Sequence, residues 1–273
     1  MKYLILGSRG QIGEALVDYL QTKGHEVLEF DLINTADEDL RIHENQLLEA
    51  HMQEADFVFF LAFDVGGSRY LAQYQNTFDF IDNNTALMLN TFRALKKYNK
   101  RFVFASSQMS NMSYSSYGRA KALGESYTQI LGGLVVKFWN VYGLEHDLEK
   151  AHVITDFILK AKQSKRIDML TDGTEERQFL HATDCSRALE MLSEKYDEIP
   201  RDKELHATSF VWTTVLDVAK LVAAHFPGTE IVPAPAKDMV QLNKRNEPDD
   251  FIKTIWQPEI GIEEGVKDIV SRI

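Results

Sequence analysis

The sequence predicts an α/β fold, in which a doubly wound parallel sheet is combined with a smaller C-terminal portion. Three observations support this prediction: a length of 273 residues, short apolar runs that alternate with helical patterns, and a loosening of that alternation after Tyr142. Alternating strands and helices are typical of a parallel sheet covered by helices on both faces. Apolar residues make up 44% of the chain and charged residues 26%, which is the balance of a folded protein with a large core.

The first thirty residues predict a βαβ unit. An apolar strand covers Lys2–Leu6, a glycine-rich turn follows it, and an apolar stripe at Ile12, Leu16 and Tyr19 indicates a helix before a second strand at 27–30. Further strands are predicted at 57–63, 101–105, 134–139 and 204–207, and further helices at 45–54, 78–97, 117–130 and 213–226.

The predicted helix at 78–97 carries an apolar stripe that includes Ile81, Met88, Phe92 and Leu95. Such a stripe fits packing against the core of the same chain, and it also fits a dimer face. Both interpretations stay open at this point, with core packing favoured.

The pattern after Tyr142 predicts helices near 154–162 and 184–196 and a short strand near 167–170. We therefore predict a sheet domain at 1–142, joined by about 204–226. The segments 143–203 and 227–273 form a smaller second domain in this interpretation.

Composition excludes several classes of protein. The chain has 30 basic and 41 acidic residues, a net charge of −11, so it offers no basic surface for nucleic acid. The longest apolar run, 57–63, is too short to cross a membrane, and we expect a cytoplasmic protein without membrane contact. A single cysteine, Cys185, and scattered histidines predict neither an internal disulfide nor a metal site.

The turn after the first strand has the pattern of a dinucleotide-binding site. Gly7, Gly10 and Gly13 lie between an apolar strand and a helix, where glycines allow backbone N–H groups to approach a pyrophosphate at the helix N-terminus. Asp31 ends the second strand, 18 residues beyond Gly13, where a carboxylate accepts hydrogen bonds from the adenosine ribose. This carboxylate would repel a 2′-phosphate, so NAD is favoured over NADP. Arg9 keeps NADP open, because a guanidinium in the turn could contact that phosphate.

A second pattern predicts acid–base chemistry. Tyr117 and Lys121 are four residues apart on a predicted helix, which puts the phenol and the ammonium on one face. A phenol with a pKa near 10 is a poor base at neutral pH, and a nearby ammonium favours its ionised form. Ser106 and Ser107 end the preceding strand and could bind the same substrate oxygen.

The order of these motifs along the chain resembles that of the extended short-chain dehydrogenase/reductase family that acts on nucleotide-diphosphate sugars, with some similarity to the GDP-L-fucose synthases. The motifs are Gly7-x-x-Gly10-x-x-Gly13, Asp31, Leu61-Ala62, Asn84, Ser106-Ser107, Tyr117-x-x-x-Lys121, Asn140-Val141-Tyr142-Gly143 and Asp172-Gly173-Thr174-x-x-Arg177.

The resemblance implies a Rossmann-type fold, with an NAD-binding sheet domain and a smaller substrate-binding domain, in a homodimer. Ser107, Tyr117 and Lys121 match the family's catalytic residues. The implied cofactor contacts are Gly7, Gly10, Gln11, Ile12, Gly13, Asp31, Asp39, Leu40, Leu61, Ala62, Asn84, Tyr117 and Lys121, and the implied substrate contacts are Gln108, Asn140 and Arg177.

Departures from the family pattern narrow the reaction. The family's 4,6-dehydratases carry Thr-Asp-Glu where this chain has Ser107-Gln108-Met109, and neither an amide nor a thioether shuttles protons, so dehydration is disfavoured. His146 falls near the catalytic histidine of GDP-L-fucose synthase, but Gln108 replaces its cysteine partner.

The sequence therefore predicts an NAD-dependent oxidoreductase that transfers a hydride to or from a nucleotide-diphosphate sugar, at C4 in the interpretation we favour. A dehydrogenase, a reductase and a 4-epimerase would share the same residues. The alternative is a catalytically inactive dinucleotide-binding protein of the same fold with a regulatory or scaffold role.

Overall fold

A computed structural model describes residues 1–238 and 246–273. The strands are β1 Lys2–Leu6, β2 Glu26–Phe30, β3 Phe57–Phe60, β4 Phe102–Ser107, β5 Leu134–Phe138, β6 Asn140–Tyr142, β7 Arg166–Asp168, β8 Glu176–His181, β9 Leu205–Ala207, β10 Trp212–Thr214 and β11 Glu230–Val232. The α-helices are α1 Gln11–Thr22, α2 Gln46–Glu54, α3 Ser68–Tyr74, α4 Phe78–Lys97, α5 Ser116–Ile130, α6 Val153–Ser164, α7 Ala182–Glu194, α8 Val215–Ala224 and α9 Ile262–Arg272.

Within the described residues, six strands form one parallel sheet in the order β2-β1-β3-β4-β5-β9. The strands β3 and β4 are buried along their whole length, as expected where helices cover both faces. Helices α1 and α7 cover one face, and α2, α4 and α5 cover the other. The predicted Rossmann-type doubly wound sheet is confirmed.

Two of the differences between the predicted and the observed elements have a local physical cause. The apolar run 57–63 is not a strand throughout, because β3 ends at Phe60 and the N–H groups of Leu61 and Ala62 both donate to Leu6 O, at 2.9 and 2.8 Å. The predicted helix at 213–226 is a strand followed by a helix. Thr214 ends β10, and its side chain accepts the Asp217 N–H at 3.0 Å, which caps α8.

Besides the two apolar cores on the two faces of the main sheet, a third apolar core lies outside that sheet. It joins α6, α8 and α9 with β7 and β8 through buried side chains such as Ile158, Val218 and Ile269. Helix α8 therefore packs with the C-terminal elements, whereas β9, which is predicted to share a domain with it, pairs with β5 in the main sheet. Helix α7 packs against α1, with Leu189 and Leu16 in one core. The division into two domains stays a prediction. By their packing, α7 would belong with the sheet domain and α8 with the smaller domain, the reverse of the predicted assignment.

The apolar stripe of α4 is mostly core. Met88, Phe92 and Leu95 are buried, whereas Ile81 is 47% exposed. The stripe thus packs inside the chain over most of its length and leaves an apolar end at the surface. In the described part of the chain, no helix is long and apolar enough to cross a membrane.

Candidate active site

A cavity of about 570 Å³ opens at the carboxyl ends of β1, β3, β4 and β5. It lies beside the junction of β1 with β3, where the strand order reverses, which is the usual ligand site in open parallel sheets. The glycine turn and Asp31 line one part, called here the glycine-turn end. Ser107, Tyr117 and Lys121 line the other, called here the tyrosine end.

The glycine turn leaves no room for side chains at two positions. Gly7 has φ +90°, and a Cβ there would lie 2.7 Å from Ala62 N. A Cβ on Gly13 would lie 2.0 Å from Gly7 O. Gly10 begins α1 without a side-chain cap, so the helix N-terminus faces the cavity with its N–H groups available to an anion.

Asp31 is held by the turn itself. Its carboxylate accepts the N–H of Arg9 at 2.9 Å and the N–H of Ile33 at 3.0 Å. These bonds fix the carboxylate at the end of β2, beside the glycine turn, and leave lone pairs for a ribose hydroxyl. The contact of Asp31 with a ribose stays a prediction.

Arg9 is engaged by residues in β2 and in the loop that follows it. Its Nε donates to Asn34 Oδ1 at 2.7 Å and lies 3.7 Å from Glu29 Oε2. The carboxylates of Glu38 and Asp39 line this end of the cavity as well. An acidic surrounding of this kind favours a cofactor without a 2′-phosphate.

Tyr117 is buried at the start of α5, which Ser115 caps by accepting the Gly118 N–H at 3.0 Å. Burial raises the pKa of Tyr117 to about 12, and a hydrogen bond with Ser107 opposes this rise. Ser107 Oγ accepts the Met109 N–H at 3.1 Å, which leaves the hydroxyl proton free to donate. The two hydroxyl groups thus share one end of the cavity.

Lys121 lies one helical turn further along α5 and is 3% exposed. Its Nζ donates to Ala105 O at 2.7 Å and lies 3.7 Å from the centre of the Phe63 ring. Burial lowers the pKa of Lys121 to about 7, and the carboxylate of Glu125 opposes this fall. Tyr117 and Lys121 therefore form the predicted pair, and both have strongly shifted pKa values.

The observed residues fit a dinucleotide. The uncapped start of α1 and the glycine positions, where no side chain fits, suit the phosphates of a dinucleotide. The Asp31 carboxylate suits its ribose, and the cavity volume lies in the usual range for ligand sites. The predicted cofactor residues that line the cavity are Gly7, Gly10, Gln11, Ile12, Gly13, Asp31, Asp39, Leu40, Leu61, Ala62, Tyr117 and Lys121.

Four predicted site residues lie outside this cavity wall. Asn84 is fully buried and holds the loop after β3, accepting the Asp64 N–H at 2.8 Å and donating to Asp64 O at 3.1 Å. Gln108 accepts from Asn246 Nδ2 at 2.8 Å, and Arg177 is paired with Asp238 at 2.6 Å.

The fourth is Asn140, which lines a smaller cavity of about 50 Å³, where its buried Oδ1 has no partner within the described residues. The binding roles of Asn84, Gln108, Asn140 and Arg177 stay predictions.

Two features of the cavity were not predicted. Phe63 lines it and faces Lys121, although the run 57–63 suggested only a strand residue. The second is a pair of cavity residues, in which His152 Nδ1 lies 2.6 Å from Glu145 Oε1. Burial alone would raise the pKa of Glu145, but hydrogen bonds from His152 and Thr155 hold it below its ordinary value. A loop spacing of seven residues carries no periodic signal for this pair.

His146, which the sequence singled out, also lines the cavity. Its side chain is 72% exposed and lies 3.0 Å from Glu14 Oε2. His146 is thus a surface residue at the cavity mouth, whereas His152 is paired with the buried Glu145 carboxylate.

Known proteins resemble the chain over its whole length. A putative UDP-glucose 4-epimerase of Methanocaldococcus jannaschii is 25% identical, over 98% of this chain and 97% of that protein. The crystal structure of UDP-glucose 4-epimerase from Thermotoga maritima with UDP-glucose has a TM-score of 0.81 at 21% identity and covers 99% and 98% of the two chains. The Bordetella bronchiseptica enzyme WbmF in complex with NADH also has a TM-score of 0.81, at 20% identity and with coverage of 99% and 90%.

The structural neighbours share the fold at low identity. The model of the NAD dependent epimerase/dehydratase family matches residues 3–207, about three quarters of the chain. This range contains the glycine turn, Asp31, Ser107, Tyr117 and Lys121, and it confirms NAD as the predicted cofactor. The chain belongs to the NAD dependent epimerase/dehydratase family.

Proposed function

We propose that this protein transfers a hydride between NAD and C4 of a nucleotide-diphosphate sugar, as a dehydrogenase, a reductase or a 4-epimerase. The observation that carries the proposal is that Ser107, Tyr117 and Lys121 share one cavity with the glycine turn and Asp31. A buried ammonium lowers the stability of the folded chain. A binding protein without turnover would gain nothing from such an ammonium beside a tyrosine.

The cavity residues divide the work between its two ends. The start of α1 would hold the NAD pyrophosphate, and Asp31 would hold the adenosine ribose. Bound NAD supplies the hydride acceptor or donor. Lys121 is placed to bind a ribose hydroxyl and to favour the phenolate of Tyr117.

Proton transfer falls to Tyr117. In the oxidative direction, its phenolate takes the proton of the sugar hydroxyl while Ser107 donates a hydrogen bond to the same oxygen. In the reductive direction, the phenol returns that proton to the carbonyl oxygen. The carbon–hydrogen bond breaks or forms with its electron pair, so that a ketone and an alcohol interconvert.

The surroundings of Ser107 support simple redox chemistry over dehydration. Elimination of water needs an additional acid and base next to the sugar. Gln108 follows Ser107, but its side-chain oxygen accepts from Asn246 Nδ2 at 2.8 Å, and an amide transfers no protons at neutral pH. This leaves the oxidation of one hydroxyl, or the reduction of the corresponding ketone, as the step that the residues support.

The experiment is single-turnover absorbance at 340 nm with UDP- and GDP-hexoses, combined with mass spectrometry and chromatography of the sugar. A dehydrogenase accumulates NADH and a keto sugar, whereas a 4-epimerase converts UDP-glucose to UDP-galactose without net NADH. Deuterium at C4 must slow either reaction. If NAD binds but no nucleotide sugar changes the cofactor or is itself changed, the inactive regulatory or scaffold alternative replaces this proposal.

We also propose a homodimer formed through α4 and α5, which pack against each other in one chain. Large apolar side chains are exposed on these helices, with Phe78 at 78% and Ile130 at 81%. Large exposed apolar side chains on two helices that pack together are typical of an interface. Light scattering at micromolar concentration is expected to give twice the chain mass of 31.2 kDa, and a monomer mass would contradict the proposal.

A further inference from the structure

The ammonium of Lys121 is buried with little polar compensation. Ala105 O accepts one hydrogen bond from Nζ at 2.7 Å. Within residues 1–238 and 246–273, no carboxylate forms an ion pair with Lys121. The nearest aromatic face is that of Phe63, with 3.7 Å from Nζ to the ring centre. A cation at this distance over a ring face is attracted by the negative face of the ring, and the attraction grows when water is excluded.

We propose that Phe63 is a positioning residue for Lys121, whose ring face keeps the buried ammonium protonated and next to Tyr117. The inference rests on the proposed function, in which Lys121 serves Tyr117 and a ribose hydroxyl. Phe63 itself touches neither proton nor hydride, and it acts through Lys121.

The loop that carries Phe63 is fixed on both sides. Before it, the N–H groups of Leu61 and Ala62 donate to Leu6 O. After it, the side chain of Asn84 bonds both the N–H and the carbonyl of Asp64. The Phe63 ring also meets the Tyr117 ring edge to face, with centres 5.7 Å apart. These contacts hold the ring in place before any ligand binds. The buried Asn84 side chain contributes by fixing the backbone of Asp64, the residue after Phe63.

Few other charges act on the ammonium. From its own helix, Tyr117 and Glu125 face Lys121, and the Glu125 carboxylate is hydrogen-bonded to Ser106 on β4. The loop after β3 contributes Asp64, which is already bound to Lys150 at 2.9 Å and to Tyr70 at 2.6 Å. The ring of Phe63 is the aromatic face closest to the ammonium, and with the Ala105 carbonyl it is placed to stabilise the charge.

The test changes the electrons of the ring and leaves its shape almost unchanged. Phenylalanine analogues with one, two and five fluorines, introduced only at position 63, make the ring face progressively less negative. The protonation of Lys121 is read from the ¹³Cε signal of labelled lysine between pH 5 and 10, with Lys121→Met to assign the signal. We expect the pKa of Lys121 to fall stepwise along the series, by about 0.4 to 1.5 pH units in total.

The matched control is the same series at Phe104. Its ring centre lies 5.2 Å from Lys121 Nζ, so the expected change is smaller at every step. Phe63→Leu, which removes the ring but keeps an apolar side chain, should act like the most fluorinated variant. An unchanged titration along the Phe63 series, or an equal change in the Phe104 series, would overturn the proposal.

This titration needs no substrate, so it is separate from the test of the proposed function. If nucleotide sugars react, kcat/KM should fall along the Phe63 series, because fewer molecules combine a protonated Lys121 with an ionised Tyr117. If no sugar reacts but the titration still moves, the proposed function fails, and only the stabilisation of the Lys121 ammonium by the Phe63 ring is retained.

Discussion

The two ends of the cavity treat charge in opposite ways. At the glycine-turn end, the Asp31 carboxylate accepts hydrogen bonds from two backbone N–H groups. The Arg41 guanidinium donates hydrogen bonds to the Asp39 carboxylate, at 3.0 Å from Nε and 2.7 Å from Nη2. At the tyrosine end, Lys121 rests on a carbonyl and a ring, and burial lowers its pKa to about 7. A charge that is already paired or hydrogen-bonded in the folded chain costs little free energy of unfolding. An unpaired charge costs stability and becomes useful when substrate arrives.

The largest effect is expected from Tyr117→Phe. The ring packing of Tyr117 survives in this variant, but the group that moves the proton is lost, so the single-turnover rate at 340 nm should fall about 10² to 10⁴-fold. NAD affinity should stay, because the glycine-turn end is untouched. The control is Tyr127→Phe on the same helix, where Tyr127 stacks on Phe92 away from the cavity. A Tyr117→Phe rate within about threefold of the parent would show that the proton takes another path, and His146 would be examined next.

A second prediction compares two buried lysines. Lys137 is as buried as Lys121, at 3% exposure, but it lies 2.6 Å from Glu204 and 3.9 Å from Glu125. Lys121→Met should raise the free energy of unfolding at pH 7 by about 1–3 kcal/mol, because it removes a poorly compensated charge. Lys137→Met should lower it by about 1–3 kcal/mol, because it leaves two carboxylates without their cation.

Urea unfolding at pH 7 measures both variants. Lys121→Met should also lose activity and part of its NAD affinity, whereas Lys137→Met should keep its NAD affinity. Destabilisation by both substitutions to the same extent would mean that Lys121 is as well compensated as Lys137.

The pH dependence of stability sharpens the same contrast. The pKa of Lys121 is lowered to about 7 from 10.5, so between these pH values the unfolded chain binds a proton that the folded chain has released. The contribution of Lys121 to the free energy of unfolding therefore rises with pH across this window. The curve of Lys121→Met should lack this rise when unfolding is followed from pH 6.5 to 10. Parallel curves for parent and variant would contradict the lowered pKa.

Tyr117 contributes with the opposite sign. Burial raises its pKa to about 12, so the folded chain keeps a proton that the unfolded chain releases above pH 10. Its contribution to stability is full below pH 10 and is lost as the pH rises toward 12. Limiting the titration to pH 10 keeps the two groups separate.

The glycine-turn end was predictable because its parts are close in sequence. Gly7, Gly13 and Asp31 belong to one βαβ unit, where the turn, the helix start and the strand end follow from local pattern. Tyr117 and Lys121 were also visible, because four residues on a helix fix a shared face.

The contacts of Lys121 could not be predicted in this way. Phe63 meets it only because β3 and β4 are neighbours in the sheet, and the apolar run 57–63 hides the point where the strand ends. Asn84, whose contact with the cofactor stays a prediction, lies in the core beneath the loop after β3, because both polar ends of its amide pair with the backbone of Asp64. Long-range contacts of this kind depend on the completed fold and leave no spacing signal.

The smallest effect is expected at the glycine-turn end, where Asp31→Ala should weaken NAD binding about tenfold, the value of one hydrogen bond to a charged group. NADP should lose less, because the substitution also removes a charge that repels its 2′-phosphate. Equilibrium titration of both cofactors measures the difference. The control is Asp37→Ala, an exposed carboxylate of the same loop that does not line the cavity, which should change both affinities slightly and equally. Equal weakening of NAD and NADP by Asp31→Ala would remove Asp31 from the ribose site, and the paired charges of this end would then serve only the fold.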